Sequence, residues 1–239
     1  MTNAILSGSG QPSAPVLAGT KLVVAVVLAG WLALIMILGG ARAFVSPPGT
    51  LPVPIAIGVT APVVLFLAAF WLSRRFRELV LTADVRVMLG IQAWRFAGLG
   101  FLALNAYGVL PGLFAWPAGL GDMAIGLTAP LVISALRRQP SFAAGRLFQV
   151  WNLLGILDLI DAVSLGAMCA VSGIGISAEV PTFPMGGLPL VLVPTFLVPL
   201  FAILHLTALL QARRTVVAGR VCVWRATTIC EPVGAIHRV

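Results

Sequence analysis

Six apolar runs, each about as long as a bilayer is thick, take up most of the chain and restrict the folds open to it. They lie at residues 21–40, 52–73, 87–109, 118–136, 147–171 and 188–210. A helix of ~20 residues crosses the hydrocarbon core of a membrane. The runs lack the alternation of polar and apolar residues that marks a transmembrane β-barrel. Since only helices and closed barrels satisfy their backbone hydrogen bonds in lipid, the sequence predicts an all-α, polytopic transmembrane bundle of about six helices.

The composition of the chain excludes an ordinary soluble domain. Of the 239 residues, 60% are hydrophobic and only 9% are charged, whereas soluble domains carry about 25% charged residues. A net charge of +8 would suggest nucleic acid binding in a soluble protein. Here the basic residues cluster between the apolar runs, as the positive-inside rule predicts. The predicted partner is therefore the lipid bilayer, and no nucleic acid is expected.

Arginines are concentrated in alternate connections between the runs, which predicts the orientation of the bundle. They follow the second run, the fourth run and the sixth run, at Arg74, Arg75, Arg77, Arg86, Arg137, Arg138, Arg146, Arg213, Arg214, Arg220, Arg225 and Arg238. The connections on the opposite side contain a single basic residue, Arg42. With six helices, the positive-inside rule places both termini in the cytoplasm.

The two ends of the chain differ in character from the six-run domain of residues 21–211. Residues 1–20 are uncharged and rich in Ser, Gly and Pro, which predicts a disordered lead-in. Residues 212–239 are rich in Arg, Val and Thr and form a basic cytoplasmic tail, for which disorder is one open alternative. Residues 41–43 resemble a signal-peptide cleavage site, but the first run exceeds the usual 7–15 residue signal core. A retained first span is favoured, and its removal would leave the other five orientations unchanged.

Arg95 is the first candidate functional residue, because it lies about nine residues into the third run and therefore deep in the hydrocarbon. Insertion of an arginine at the centre of a membrane helix costs about 2.5–3.5 kcal/mol. Gln92 shares its helix face, and Asn105 continues roughly on that side. We expect this polar face to pack against other helices and Arg95 to have an acidic partner.

Three aspartates inside the runs are candidates for that partner. Asp158 and Asp161 lie near the middle of the fifth run at a depth similar to Arg95, while Asp122 lies nearer the outer end of the fourth run. Asp158 and Asp161 are about 60° apart around a helix, so both can face one interior seam, to which Asn152 adds an amide. The preferred pair is Arg95 with Asp158, leaving Asp161 or Asp122 to bind a proton. The alternative is that these polar residues only hold the helices together.

The sixth run combines three prolines, Pro189, Pro194 and Pro199, with His205. Proline removes backbone hydrogen bonds, so the run is expected to kink, and the freed carbonyls could line a cavity. His205 is open to three roles: a proton relay, a haem ligand, or a histidine that packs between helices. The packing role is favoured because the only other histidine is His237, in the tail.

Glycine pairs in the third and fourth runs match G-x-G-x-x-A, at residues 98–103 and 119–124. Neither follows a strand, so the dinucleotide-binding interpretation fails its structural context. In lipid, such glycines allow helices to approach closely. The chain also lacks the common hydrolase, ATP-binding and metal-binding motifs. We therefore predict no catalytic residue, no metal and no cofactor, and favour a role other than an enzyme.

Several segments together resemble a group of uncharacterised small multi-span bacterial integral membrane proteins. They are IQAWRFAGLGFL, GVLPGLFAWPAGLGDMAIGLTAPLV, FQVWNLLGILDLIDAV and LVPTFLVPLFAILHL, within residues 85–211. The resemblance implies a bacterial inner-membrane protein and brings no assigned activity with it. From the buried charges and the prolines, we expect a small-solute or ion permease. The alternatives are a structural or accessory membrane subunit, and a membrane enzyme or haem protein that uses His205.

Overall fold

The computed structural model describes residues 14–47, 49–171 and 181–229, with side chains at residues 19, 21–47, 49–171 and 181–214. Within these residues the chain forms eight α-helices and no β-strand. The helices are α1 Ala14–Gly40, α2 Val53–Leu72, α3 Arg74–Thr82, α4 Val85–Gln92, α5 Leu99–Ala106, α6 Gly112–Arg138, α7 Arg146–Ala170 and α8 Val198–Ile229. The predicted all-α fold is confirmed.

Six helical segments are long and apolar enough to cross a membrane, which confirms the predicted number. They are Lys21–Gly40, Val53–Leu72, Val85–Ala106, Gly112–Arg138, Arg146–Ala170 and Val193–Arg214. Most ends agree with the predicted runs to within a few residues, but the fourth span begins at Gly112 rather than at residue 118. A chain with six such segments is a multi-pass membrane protein.

Two of the spans are not continuous α-helices. The third consists of α4, a 3₁₀ segment Ala93–Gly98, and α5. The sixth begins with a π-helical turn, Val193–Leu197, that leads into α8. Pro189, Pro194 and Pro199 lack the N–H group that donates in an α-helix, which disfavours the regular helix from residue 188 that the apolar run suggested. α8 continues to Ile229, beyond the predicted end of the bundle, and residues 230–239 with His237 lie outside the described residues.

The long helix α6 lies at the centre of the bundle. It packs against the third span on one side and against α7 on another, α7 packs against α8, and α8 packs against α2. α1 lies at the edge, where Trp31 contacts Phe196 of the π-helical turn with ring centroids 4.7 Å apart. The third span, α6, α7 and α8 therefore surround the interior of the protein.

The interior contains two apolar cores, one toward each end of the bundle. The first includes Leu89, Leu136 and Phe148 and lies toward the end at which α6 finishes and α7 begins. The second includes Phe101 and Phe114 and lies toward the end at which α5 finishes and α6 begins. The buried polar residues Arg95 of the third span, Asn152 of α7 and His205 of α8 occupy the layer between these two cores.

Candidate functional site

The guanidinium of Arg95 lies in this central layer, on the 3₁₀ segment of the third span. Its side chain has 0% exposed surface. Nε donates to Oδ1 of Asp122 at 2.6 Å, and Nη2 donates to Oδ2 of Asp158. Nη1 donates to the carbonyl oxygen of Gly155 at 3.3 Å and lies 3.1 Å from Nε2 of His205. The guanidinium thus joins α6, α7 and α8 to the third span.

The pairing of the carboxylates is only in part the one predicted. The Arg95–Asp158 ion pair is present. Asp161 or Asp122 was expected to remain without a base, and Asp122 does not, because it binds the same guanidinium. Asp161 was expected on the interior seam, but it is exposed on the outer surface of α7 and forms no ion pair with any described residue.

The buried side of α7 explains why Asp161 is excluded. Asn152, Gly155 and Leu159 are buried and mark the direction in which α7 faces its neighbours. Asp158 lies at one edge of this side, and Asp161, three residues further along, is rotated about 60° beyond that edge. The spacing of the two aspartates was compatible with a shared seam, but the rotation of the helix turns only one of them inward.

The protonation of His205 follows from its neighbours. A guanidinium has donors and no acceptor, so Nε2 of His205 accepts from Arg95, and the ring proton lies on Nδ1. Nδ1 is 2.9 Å from Oδ1 of Asn152, whose Nδ2 donates to the carbonyl oxygen of Phe148 at 2.8 Å. We call Arg95, Asp122, Asp158, His205 and Asn152 the polar cluster. It contains one guanidinium, two carboxylates and an uncharged imidazole.

The geometry does not support His205 as a haem ligand. The residue is 0% exposed, and both ring nitrogens are engaged, one by Arg95 and the other by Asn152. Neither nitrogen is free to bind iron. Across the described ranges, His, Cys, Asp and Glu side chains form no group of three or more that could hold a metal ion. His205 instead packs in the interior, with its ring 5.3 Å from that of Trp151 between centroids.

Two other candidates from the sequence lie outside the polar cluster. Gln92 is buried, and its Nε2 donates to the carbonyl oxygen of Phe201 at 3.0 Å, while its Oε1 has no partner among the described residues. Asn105 donates through Nδ2 to the carbonyl oxygen of Leu110 at 2.9 Å. Asn105 therefore supports the turn after α5, and the polar face expected to join it to Arg95 does not extend that far.

Glycines on α6 and α7 make room for the polar cluster. A Cβ atom on Gly155 would overlap the imidazole of His205, and one on Gly121 would overlap the carboxylate of Asp158. A Cβ atom on Gly98 would lie 3.0 Å from the carbonyl oxygen of Gly119. Gly98, Gly119 and Gly121 belong to the two G-x-G-x-x-A matches, and the predicted role in close helix approach is confirmed for these three. It is not confirmed for Gly100, because a Cβ atom there would have no atom within 4 Å.

A cavity of about 100 Å³ lies beside the polar cluster. Its walls come from α2, α5, α6 and α7 and from the segments that precede α2 and α8. Among the described residues that line it, Asp122 is the one with a charge, and the Asp122 side chain keeps 17% of its surface exposed. Val45 and Thr50, also in the lining, are exposed on the protein surface. The cavity therefore reaches from the surface to a carboxylate of the cluster.

Residues 52–213 match the family model described as "Domain of unknown function (DUF8737)", and they make up more than half of the chain. The chain belongs to the DUF8737 family. The match takes in α2 to α7, nearly all of the sixth span and the whole polar cluster, while α1 precedes it. No curated protein and no solved structure matches the chain.

Sequence reasoning about this DUF8737 protein missed the backbone carbonyls that take part in the site. The carbonyl oxygens of Gly155 and Phe201 accept hydrogen bonds from Arg95 and Gln92. A carbonyl has no signature of its own in a sequence. The signal that was available is Gly155, since a glycine three residues before an intramembrane aspartate indicates that a neighbouring side chain approaches the helix backbone there.

Proposed function

We propose that this membrane protein is a small-solute or ion permease whose substrate reaches the polar cluster through the cavity at Asp122. One observation carries the proposal: Asp122 belongs both to the ion-pair network of Arg95 and to the lining of a cavity that reaches the surface. Ionisable residues inside a membrane mark ion and substrate pathways when they face a cavity. A carboxylate that served only to hold helices together would not need an accessible side.

The charges of the polar cluster support coupling to protons. Two carboxylates share one guanidinium, and the imidazole of His205 adds no charge, so the cluster has one carboxylate more than Arg95 can neutralise. In a medium of low dielectric constant, this excess charge favours the binding of either a proton or another cation. Because the proton and the cation compete for the same carboxylate, the release of one accompanies the binding of the other.

We further propose that the protein lies in a bacterial inner membrane with both termini in the cytoplasm. Arg74, Arg137 and Arg214 are exposed at one end of the bundle, and cytoplasmic loops are rich in such residues. The cavity, which is lined by residues near Arg42 at the other end, then opens away from the cytoplasm. A green fluorescent protein fused after residue 214 should be fluorescent in bacterial cells, whereas alkaline phosphatase fused there should be inactive. The reverse pattern contradicts this orientation.

Transport is tested with the purified protein in liposomes that contain a pH-sensitive dye. With a potassium gradient and valinomycin to set the membrane potential, the wild-type protein should carry protons inward, and Asp122→Asn should reduce the rate at least tenfold. Asp161→Asn is the matched control, because it makes the same chemical change on the outer surface of α7. If no tested cation, including the proton, crosses faster than in empty liposomes, the permease proposal is wrong.

A structural or accessory role is the second candidate, and the complete burial of Arg95 favours it. The guanidinium donates to groups on three other helices, which is the pattern of a residue that fixes helix positions. This role predicts that Asp122→Asn lowers stability while the wild-type protein carries no flux. The liposome measurement and an unfolding measurement on the same variant therefore separate the two candidates.

A further inference from the structure

The cavity beside the polar cluster has a lining that suits one class of ligand. We propose that it binds a small organic ammonium cation, with the positive charge near Asp122 and the apolar groups against aromatic rings. The proposal rests on the proposed permease function in one respect, since the bound cation would be the transported solute. Binding itself can be measured without transport.

Several aromatic rings contribute to the cavity wall. The lining includes four phenylalanines, which are Phe44, Phe101, Phe114 and Phe183. The rings of Phe101 and Phe114 meet edge to face with centroids 5.3 Å apart. The face of an aromatic ring attracts organic cations, and sites for quaternary ammonium groups are built from several such rings. An apolar, aromatic wall beside an accessible carboxylate is therefore complementary to a cation that carries hydrocarbon.

The accessible charge at the cavity is negative. The Arg95 side chain has no exposed surface, whereas the Asp122 side chain keeps 17% of its surface exposed. An anion in the cavity would meet the carboxylate without reaching the guanidinium that could bind it. Hard metal ions take six or more oxygen ligands, and the lining offers few oxygens besides those of Asp122, Ser46 and two threonines. An organic cation needs only one carboxylate and an apolar surround.

The size of the cavity limits the ligand. A cavity of about 150 Å³ lined by apolar side chains holds benzene, which has six non-hydrogen atoms. The cavity here, at about 100 Å³, accommodates roughly four non-hydrogen atoms by the same ratio, so a compact cation of five such atoms lies at its upper limit. Ser46 lines the cavity, and its buried hydroxyl has no hydrogen-bond partner within the described residues. This hydroxyl is a further polar group of the lining that could accept a hydrogen bond from a ligand.

Two compounds of the same shape test the charge requirement. tert-Butylammonium and tert-butanol have the same number of non-hydrogen atoms and differ in charge. Isothermal titration calorimetry on the detergent-solubilised full chain should show that the ammonium binds at least tenfold more tightly than the alcohol. Equal affinities would overturn the proposal, because the cavity would then select only for apolar volume. Absence of any heat from the ammonium at millimolar concentration would overturn it as well.

Variants locate the binding to this cavity. Asp122→Asn should weaken tert-butylammonium binding at least tenfold, while Asp161→Asn should leave it within twofold of wild type. If Asp122→Asn does not fold, Ala162→Phe tests the same point, because Ala162 lines the cavity and makes no contact with Arg95. Its matched control is Ala124→Phe, at an exposed position of α6. Unchanged binding in Ala162→Phe would place the ligand elsewhere and contradict the proposal.

The binding and flux measurements test the two proposals separately, so that one proposal can be refuted while the other stands. If tert-butylammonium binds in detergent but neither it nor protons cross liposomes, the permease function is wrong and the cation site stands. If protons or inorganic cations cross liposomes in an Asp122-dependent way but tert-butylammonium does not bind, the permease function stands and the substrate class is wrong.

Discussion

Removal of the Arg95 guanidinium is the perturbation with the largest expected effect on stability. In Arg95→Met, the carboxylates of Asp122 and Asp158 lose their donors, and so do the Gly155 carbonyl and His205 Nε2. A hydrogen bond to a charged group contributes about 1.5–3 kcal/mol, so the two carboxylate contacts alone amount to about 3–6 kcal/mol. Breaking one side of a buried ion pair costs about 3–5 kcal/mol. We expect Arg95→Met to lower the free energy of unfolding by about 3–5 kcal/mol. The loss stays below the upper sum of the hydrogen bonds, because a carboxylate that has lost its donor can take up a proton.

Combined variants show whether both carboxylates belong to the same site. The free energy of unfolding is measured in mixed micelles by titration with sodium dodecyl sulfate, followed by circular dichroism. Arg95→Met with Asp158→Asn should recover only part of the loss, because Asp122 stays unpaired. Adding Asp122→Asn should recover most of it, since replacing a complete buried ion set by uncharged groups is often close to neutral. The control is Arg74→Met at an exposed position of α3, with an expected change within about 0.5 kcal/mol.

Two results would refute this reasoning. A loss below about 1 kcal/mol in Arg95→Met would mean that the guanidinium does not compensate the buried carboxylates. Full recovery in the Arg95→Met, Asp158→Asn double variant would mean that Asp122 is not coupled to Arg95, contrary to the 2.6 Å contact between them.

Three further predictions use the same unfolding measurement. Gly155→Ala should lower the free energy of unfolding by about 1–3 kcal/mol, because the added Cβ overlaps the His205 ring. Gly100→Ala, whose Cβ would have no atom within 4 Å, should raise it by up to about 1 kcal/mol. Equal effects of the two substitutions would contradict the overlap. His205→Leu should lower the free energy of unfolding by about 1–3 kcal/mol, because Oδ1 of Asn152 and one N–H of the Arg95 guanidinium lose the imidazole as their partner; a stabilised variant would argue against the hydrogen-bonded imidazole. Trp151→Phe should cost about 0.5–1.5 kcal/mol by removing the 2.8 Å bond to Thr128, so no change would mean that this bond contributes nothing.

The number and positions of the spans could be predicted because lipid imposes one strong requirement. Backbone groups in hydrocarbon have to be satisfied within the segment, so a long apolar run becomes a helix whatever its neighbours are. The start of the sixth span at Val193 rather than at residue 188 shows the limit of this rule. Hydropathy does not register the missing N–H groups of Pro189, Pro194 and Pro199, which disfavour a regular helix over the first residues of this run.

The depth of Asp158 in the membrane could be predicted from the sequence, but the depth of Asp122 and the directions of the side chains could not. Asp122 lies deeper than expected because the fourth span begins at Gly112 rather than at residue 118. Depth depends only on the position within a run, which is why the Arg95–Asp158 pair was found. Direction depends on how a helix is rotated against its neighbours, and here small residues such as Gly121 and Gly155 decide which side of α6 and α7 approaches the cluster. These contacts turned Asp122 inward and left Asp161 outside. A single sequence contains the glycines but does not state which neighbour each one meets.

The contact between α6 and the third span leaves these two segments no room to approach each other further. A Cβ atom on Gly126 would overlap the backbone nitrogen of Phe96, so main chain already touches main chain there. Backbone atoms have no rotamers that could yield, and this pair of spans has no room to close further. α2 and residues 44–46 form another part of the cavity wall, and α2 packs mainly on the sixth span and α3. We therefore expect α2 to be freer to change the cavity's width than the third span and α6, which contribute Arg95 and Asp122.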